Sequence, residues 1–400
     1  MFFFIILGSI VVGDILWWWW AHRRLREVRR SALWRTLLGL FMGLMLGYIA
    51  FMFISPQTAR QSQSILPLPV VLMVYVWHLL ILPAAVLLVW GGQVVKLVVR
   101  LIRRFRPAEP QAAQSLDGPS SGVQAGRALT RREALIATAV ALPPLATVGV
   151  VARAMTQLDA LRVREMHLSF PQLPGAFDGV VIAHISDMHV GRWTRGMGLR
   201  EIIETSNRLR PDLVLMTGDL IDLSLRDLPR AIDAVKQLES RYGTYMCEGN
   251  HDLFDSRAGF EMGVKQSGVP LLIDETTTID VRGEPLQLLG LRWGRGEEAI
   301  RQSSANLASI MHRGVFRILL AHHPHAFDHT AAELTLAGHT HGGQLMLTDD
   351  VGAGPAMFRY WSGHYRRGGQ SLVVSNGAGN WFPVRMNAPA EIVKITLHRT

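Results

Sequence analysis

The sequence predicts an α/β domain preceded by an all-α membrane region. Three observations carry this reading. Apolar residues crowd the first 155 of 400 positions, in a chain that is 49% hydrophobic and only 18% charged. Beyond them, short apolar runs alternate with stretches of helical spacing. Most of those runs end in Asp, Asn or His, and α/β folds carry their chemistry on loops at the carboxyl ends of strands.

The elements follow in order. Residues 1–20, MFFFIILGSIVVGDILWWWW, are long enough to cross a bilayer, which takes roughly 20 apolar residues. Asp14 is the only formal charge inside, and the run from Trp17 to Trp20 suits an interfacial belt. No basic segment precedes the run, which argues against a cleaved secretion signal. Residues 36–54 make a second span, where Gly39, Gly43 and Gly47 form a small-residue packing face. A third span, 66–95, contains Pro67, Pro69, Pro83 and His78. An intramembrane histidine is either functional or packed and hydrogen-bonded. The first 106 residues are thus a membrane region with three helices.

A Pro/Gln/Ser/Gly-rich stretch at 107–126 starts a flexible linker that runs to 130. Residues 131–154 form a fourth transmembrane helix or a signal anchor. Arg131 and Arg132, with Thr130, Leu135 and Ile136, resemble a twin-arginine export signal, although Ala134 stands where that signal has Phe.

The formal charge is +9, and the basic residues cluster beside the apolar runs. Arg23, Arg24, Arg26, Arg29, Arg30 and Arg35 form one group. Lys96, Arg100, Arg103, Arg104 and Arg106 form another, and Arg127, Arg131 and Arg132 a third. This is the pattern of cytoplasmic anchoring. The clusters show no repeated basic–aromatic interleaving, so nucleic acid is not an expected partner. The loops at 21–35 and 96–132 are basic and face the cytoplasm, while 55–65 has only Arg60 and faces out. The fourth span then delivers residues 155–400 to the outer side of a bacterial inner membrane. Cys247 is the only cysteine. It excludes an intrachain disulfide and a cysteine zinc cluster, and reads as a small buried hydrophobe.

From 155 onward the pattern is a soluble α/β domain. GVVIAHISD (179–187), DLVLMTGD (212–219), GTYMCEGNHD (243–252), PLQLLGLRW (285–293), VFRILLAHHP (315–324) and ELTLAGHTH (333–341) read as strands running into polar tips. SLVVSNGAG (371–379) and AEIVKITLH (390–398) complete the set, and helical spacing covers 199–210 and 228–240. The tips SDMH, GDLID, GNHD, AHHPH and GHTHGGQ offer carboxylate, amide and imidazole groups. That donor set suits Mn²⁺, Fe or Zn²⁺. In extended chain, residues two apart point to the same side, so Asp187 with His189, and His339 with His341, can each grip one ion. Gly338 lets the backbone turn, and Gly342 and Gly343 leave room for an ion and a substrate.

The ordered motifs D-x-H, GD-x-x-D, GNHD, a lone His and GH-x-H resemble the calcineurin-like metallophosphoesterase superfamily, in its membrane-anchored bacterial branch. The resemblance covers roughly 165–400. It implies a two-sheet αββα sandwich and two divalent ions, with Mn²⁺ favoured over Fe and Zn²⁺. Asp187, His189, Asp219 and His341 would hold one ion, and Asp219, Asn250, His322 and His339 the other. Asp219 bridges, one oxygen to each ion, and a hydroxide between the ions is the nucleophile. His251 protonates the leaving oxygen, and Asp252 orients His251. His323 neighbours the metal and His325 is structural. Asp222 closes GD-x-x-D and braces the site.

The resemblance and the anchor together imply a phosphodiesterase acting on an envelope or lipid-linked phosphoester. Some similar proteins hydrolyse the pyrophosphate of UDP-2,3-diacylglucosamine in lipid A synthesis. That substrate needs cytoplasmic nucleotide and conflicts with an outward domain. A non-catalytic metal- or phosphate-binding membrane sensor is the alternative of a different class. A transporter is not expected, because the spans carry few polar residues. Arg192, Trp193 and Arg195 sit on a loop that either reaches over the metals or is simply solvated. Trp381 and Phe382 belong either to a lipid-facing patch or to the core.

Overall fold

The structure, a computed structural model, describes residues 2–54, 67–104, 130–158 and 160–400. The loop at 55–65 and the linker at 107–126 lie outside the described residues. The chain forms two compact units, Met1–Arg153 and Ala154–Thr400.

The first unit is helical. Its elements are α1 (Phe2–Leu25), α2 (Ser31–Ile54), α3 (Leu68–Val76), a π turn (Trp77–Ile81), α4 (Leu82–Arg104) and most of α5 (Arg131–Leu158). Among the described residues, three helical stretches are long and apolar enough to cross a membrane: Ser31–Phe51, Leu68–Ile102 and Arg131–Leu158. The expected first span is helical from Phe2, but the side chains of residues 1–6 lie outside the described set.

The polar group in α1 has partners in the π turn. Asp14 is fully buried. Its Oδ1 accepts from the Trp77 indole N–H at 2.8 Å, and its Oδ2 lies 2.9 Å from His78 Nε2. His78 Nδ1–H donates to the Val74 carbonyl at 2.8 Å. His78 is therefore packed and hydrogen-bonded. Asp14→Ala leaves the Trp77 indole N–H and His78 Nε2 without their shared partner in an apolar bundle. Its expected cost is about 1–2 kcal/mol, read as a lower unfolding midpoint in mixed SDS micelles. An unchanged midpoint would remove any structural role for the cluster.

Two expectations for this unit change. Trp17 is not part of an exposed belt. It is fully buried and packs edge-on against Trp77, with ring centroids 4.8 Å apart. The glycine face of α2 packs on nothing among the described residues: a Cβ at Gly39, Gly43 or Gly47 meets no atom within 4 Å.

The second unit holds two mixed sheets. One has strand order β1-β11-β2-β3-β4, from Leu161–Phe170, Ala390–Arg399, Val181–Ile185, Leu213–Thr217 and Thr244–Cys247. The other has order β5-β6-β7-β8-β10-β9, from Glu275–Val281, Glu284–Gly290, Phe316–Leu320, Leu334–Ala337, Gln370–Val374 and Gly363–Arg367. β2, β3 and β4 are parallel, as are β6, β7, β8 and β10. Residues from both sheets, including Ile182, Leu215, Leu288, Phe316, Ile318 and Val393, form one buried layer between them. The outer face of the first sheet is covered by α6 (Met197–Arg208), α7 (Leu228–Lys236) and α8 (Arg257–Ser267). That of the second is covered by α9 (Glu297–Ala308). The result is an αββα sandwich. β1, β5, β9, α8 and α9 carry no motif, and the sequence reading did not name them.

Parallel strands bring their carboxyl ends to one edge of each sheet. β2, β3 and β4 end at Ile185, Thr217 and Cys247, and β7 and β8 end at Leu320 and Ala337. All five polar tips follow these ends. Cys247 is buried as expected, and burial pushes its thiol well above the usual range.

Candidate metal centre

The five tips converge where the two sheets meet. His322 Nδ1–H donates to the Thr217 carbonyl at 2.7 Å, joining the end of β7 to the end of β3. The His339 N–H lies 3.1 Å from Asp187 Oδ2, joining β8 to β2. Gly338 makes this approach possible through its missing Cβ, not through a special backbone turn. A Cβ there would collide with Ser186 and the Asp187 carboxylate. Gly342 and Gly343 are buried against Asn376 and Gly354, so the room they make is filled by the protein itself.

All seven expected ligands come together. His341 Nε2 lies 3.2 Å from Asp187 Oδ1 and 3.1 Å from His189 Nε2. His189 Nε2 is 3.5 Å from Asp219 Oδ2. On the other side, His322 Nε2 is 3.2 Å from the same Asp219 oxygen, 3.1 Å from Asn250 Oδ1 and 3.2 Å from His339 Nδ1. Asp219 therefore presents one oxygen to both sets, not one to each. Its Oδ1 is occupied by the His251 N–H at 2.7 Å.

The backbone at these ligands is not extended. Asp187, His189, Asp219, His339 and His341 have φ of 53°, 44°, 52°, 73° and 49°. Each left-handed L-residue costs roughly 1–2 kcal/mol. Backbone bonds hold part of this geometry: Asp187 N–H donates to Gly218 O at 3.0 Å, and His189 N–H to Asp219 O at 2.9 Å.

The donor chemistry fits divalent cations. The His322 Nδ1–H is committed to a carbonyl, so Nε2 points at a carboxylate oxygen and an amide oxygen. Three acceptors facing one another call for positive charge between them. Without an ion, a proton on His322 supplies that charge. Burial pulls His322 down, but Asp219 and Asp187 outweigh it and bring it to about 9. Burial pushes the Asp187 and Asp219 carboxyls up, and the surrounding histidines hold both well below the usual range. Burial carries His339 to about 3 and His341 to about 4. Ionised carboxylates and neutral imidazoles are the forms that bind metal, so an ion takes the place of the proton that Asp219 and Asp187 hold on His322.

His251 lies beside this cluster. Its ring is 4.5 Å from that of His189. Its Nδ1–H donates to the Asp222 carbonyl at 2.7 Å, with Asp222 Oδ1 at 3.3 Å. Burial lowers its basicity, but Asp222 and Asp219 raise it above the ordinary value. The expected partner, Asp252, does not orient this ring. Its carboxylate is buried and accepts from the N–H groups of Ile221 at 3.0 Å and Gly249 at 2.9 Å. It ties two of the tip loops together, and Asp222 takes the place beside His251.

Other expectations resolve as follows. His323 accepts from the His325 N–H at 3.2 Å, and its ring lies 5.0 Å from that of His339. The Arg192 guanidinium stacks on Trp193, 3.9 Å from the ring centroid. Trp381 is 42% exposed, and its ring is 5.8 Å from His251. Two neighbours had no role in the sequence reading. Trp293 packs against His322, His323 and His339; its only signal was its position at a strand tip. Arg385 is fully buried, 3.1 Å from His341 Nδ1, and donates to the carbonyls of Asn376, Ala388 and Gly379. Nothing local in the sequence marks it.

A profile of calcineurin-like phosphoesterases matches residues 180–343. YkuE, a metallophosphoesterase of Bacillus subtilis, is 30% identical over 244 residues, which cover 57% of this chain and 82% of YkuE. The chain belongs to the calcineurin-like phosphoesterase family. A transmembrane protein with a metallophosphoesterase domain from Danio rerio is 31% identical over 284 residues, 66% of this chain. The match spans 62% of that fish protein's own length, under two thirds. The phosphodiesterase YaeI of Escherichia coli is 28% identical over 228 residues, covering 54% of this chain and 81% of YaeI. The family match spans the tips from the strand before Asp187 through His341 and Gly343.

Proposed function

We propose that this chain is a membrane-anchored, metal-dependent hydrolase of phosphoesters, and of phosphodiesters in particular. The observation that supports it best is Asp219 Oδ2, set 3.5 Å from His189 Nε2 and 3.2 Å from His322 Nε2. One carboxylate oxygen shared by two donor sets is what a two-ion centre needs. Asp187, His189, Asp219 and His341 hold one ion in this reading, and Asp219, Asn250, His322 and His339 the other. The absence of thiolates favours Mn²⁺, with Fe and Zn²⁺ as the other fits.

Bound divalent ions supply Lewis acidity and lower the pKa of water. The chain's own groups do the rest. The Thr217 carbonyl fixes the His322 tautomer and turns its Nε2 inward. The Asp222 carbonyl fixes His251 in the same way, leaving Nε2 to deliver a proton to the leaving oxygen. The Asp222 carboxylate beside it favours the protonated ring that this role requires. The kinship with YaeI supports the diester class. The anchor supports an envelope or lipid-linked substrate.

The test is turnover by the full chain in detergent with Mn²⁺, on bis(4-nitrophenyl) phosphate and 4-nitrophenyl phosphate. His251→Gln is expected to keep its metal and lose about 10²–10⁴-fold in diester kcat. Undiminished turnover in that variant, or none by a folded, metal-loaded wild type, would overturn the reading. The basic loops at 21–35 and 96–132 support an outward catalytic unit at the inner membrane. A C-terminal phosphatase reporter is then active outside the cell membrane, and a reporter that works only in the cytoplasm would reverse the topology.

A further inference from the structure

We infer that the centre carries two aromatic walls, one for each organic group of a phosphodiester: Trp293 for the group retained on phosphorus, and Trp381 with Phe254 for the leaving group. This rests on the phosphodiester reading above. The substrate class it names is a phosphodiester with an apolar or planar body on both sides.

The two walls border different histidines. Trp293 lies 5.3 Å from His322, 5.9 Å from His323 and 5.1 Å from His339, ring to ring. Trp381 lies 5.8 Å from His251 and 6.3 Å from His341. Phe254 is 4.7 Å from His251, and Phe382 extends the wall 5.5 Å from Trp381. Trp381 and Phe254 are 42% and 48% exposed, so folding gains little from placing them there. Large rings left open beside a polar centre gain their free energy when something apolar covers them.

Trp293 is also held in place. Its backbone N–H donates to Glu248 Oε1 at 2.9 Å, and Arg257 Nη2 donates to its backbone carbonyl at 3.0 Å. Arg257 Nη1 closes the clamp on Glu248 Oε1 at 2.6 Å. Glu248 is fully buried and directly precedes the Gly249-Asn250 tip. The clamp therefore fixes the Trp293 backbone beside the Asn250 tip, and the ring packs against His322 and His339. A wall whose backbone is already held loses less freedom when a substrate covers it.

The leaving side follows from His251. The proton it delivers goes to the leaving oxygen, and its ring borders both Phe254 and Trp381. The group attached to that oxygen meets those rings. The other substituent is then left to Trp293. A monoester has one organic group and needs only the Trp381 wall, while a diester uses both.

The experiment uses the full chain in detergent, loaded with Mn²⁺, and has two readouts. The first compares kcat/KM for bis(4-nitrophenyl) phosphate and methyl 4-nitrophenyl phosphate, which share a leaving group. Trp293→Ala is expected to cut the preference for the bis-aryl ester about tenfold, with Trp293→Phe in between. Trp381→Ala is expected to lower both esters by a similar factor. The second readout is calorimetric binding of diphenyl phosphate and methyl phenyl phosphate, which needs no turnover. Tighter binding of the diphenyl ester, erased by Trp293→Ala, supports the assignment. Equal binding of the two esters by the wild type, or an unchanged preference in Trp293→Ala, overturns it. Failure of the phosphodiesterase reading looks different: the wild type binds both esters and hydrolyses neither.

Discussion

Asp219→Asn is expected to lower diester turnover by more than about 10³-fold and to empty the centre of metal. Losing one oxyanion-hole donor costs about 10²–10³ in kcat, and Asp219 serves both donor sets at once. The two oxygens of Asp219 are both needed as acceptors. Oδ1 takes the His251 N–H at 2.7 Å, and Oδ2 faces His189 and His322. An asparagine can satisfy only one of these. If its oxygen stays with the His251 N–H, its amide hydrogens point at His189 and His322. If it turns over, two donors face each other and the Asn250-His251 tip is pushed away. The isosteric change thus removes charge and geometry together. Elemental analysis of the purified variant beside steady-state kinetics checks both halves of the expectation. A variant that retains two ions and full turnover would exclude Asp219 as the shared ligand.

The donor cluster was legible because strand-tip chemistry, topology and the family resemblance coincide. Parallel strands deliver their tips to one edge, and each tip here advertises its donor in a short motif. Asp187, Asn250 and His339 could therefore be named without coordinates. What stayed hidden depends on contacts between distant residues. Nothing in SDMH says that Asp187 and His189 both adopt positive φ, because that conformation is imposed by the bonds to Gly218 and Asp219. Extended geometry was the natural assumption, and it was incorrect. The assignment of Asp252 failed for a related reason. Adjacency in GNHD suggested a partner for His251, but the turn after Asn250 sends Asp252 back under Gly249 and Ile221. Asp222, 29 residues upstream of His251, takes its place. In the helical unit, hydropathy marked the long apolar helices but not the pairing of Asp14 with Trp77 and His78, which are 63 and 64 residues away.

Metal is expected to raise the unfolding temperature of the catalytic unit by about 8–16 °C, and a chelator to reverse the change. A ligand that binds only the folded state at 1,000 times its Kd adds about 4 kcal/mol. A domain of about 150–250 residues gains about 2–4 °C for each kcal/mol. The reason to expect the upper part of that range is local. Without cations, His189 Nε2 and His341 Nε2 sit 3.1 Å apart, and His322 Nε2 and His339 Nδ1 3.2 Å apart. Ionised Asp187 and Asp219 share the same space. Five of the seven donors also hold left-handed backbone, a strain the fold tolerates where function over-determines it. Cations displace the His322 proton and draw all seven donors into coordination, so they stabilise the most strained part of the sandwich. Scanning calorimetry of the full chain, with Mn²⁺ and then with excess EDTA, reads the effect directly. Asp219→Asn should respond much less, because it has lost the shared acceptor. An unfolding temperature indifferent to Mn²⁺, Fe²⁺ and Zn²⁺ would mean that these seven side chains do not form a metal centre.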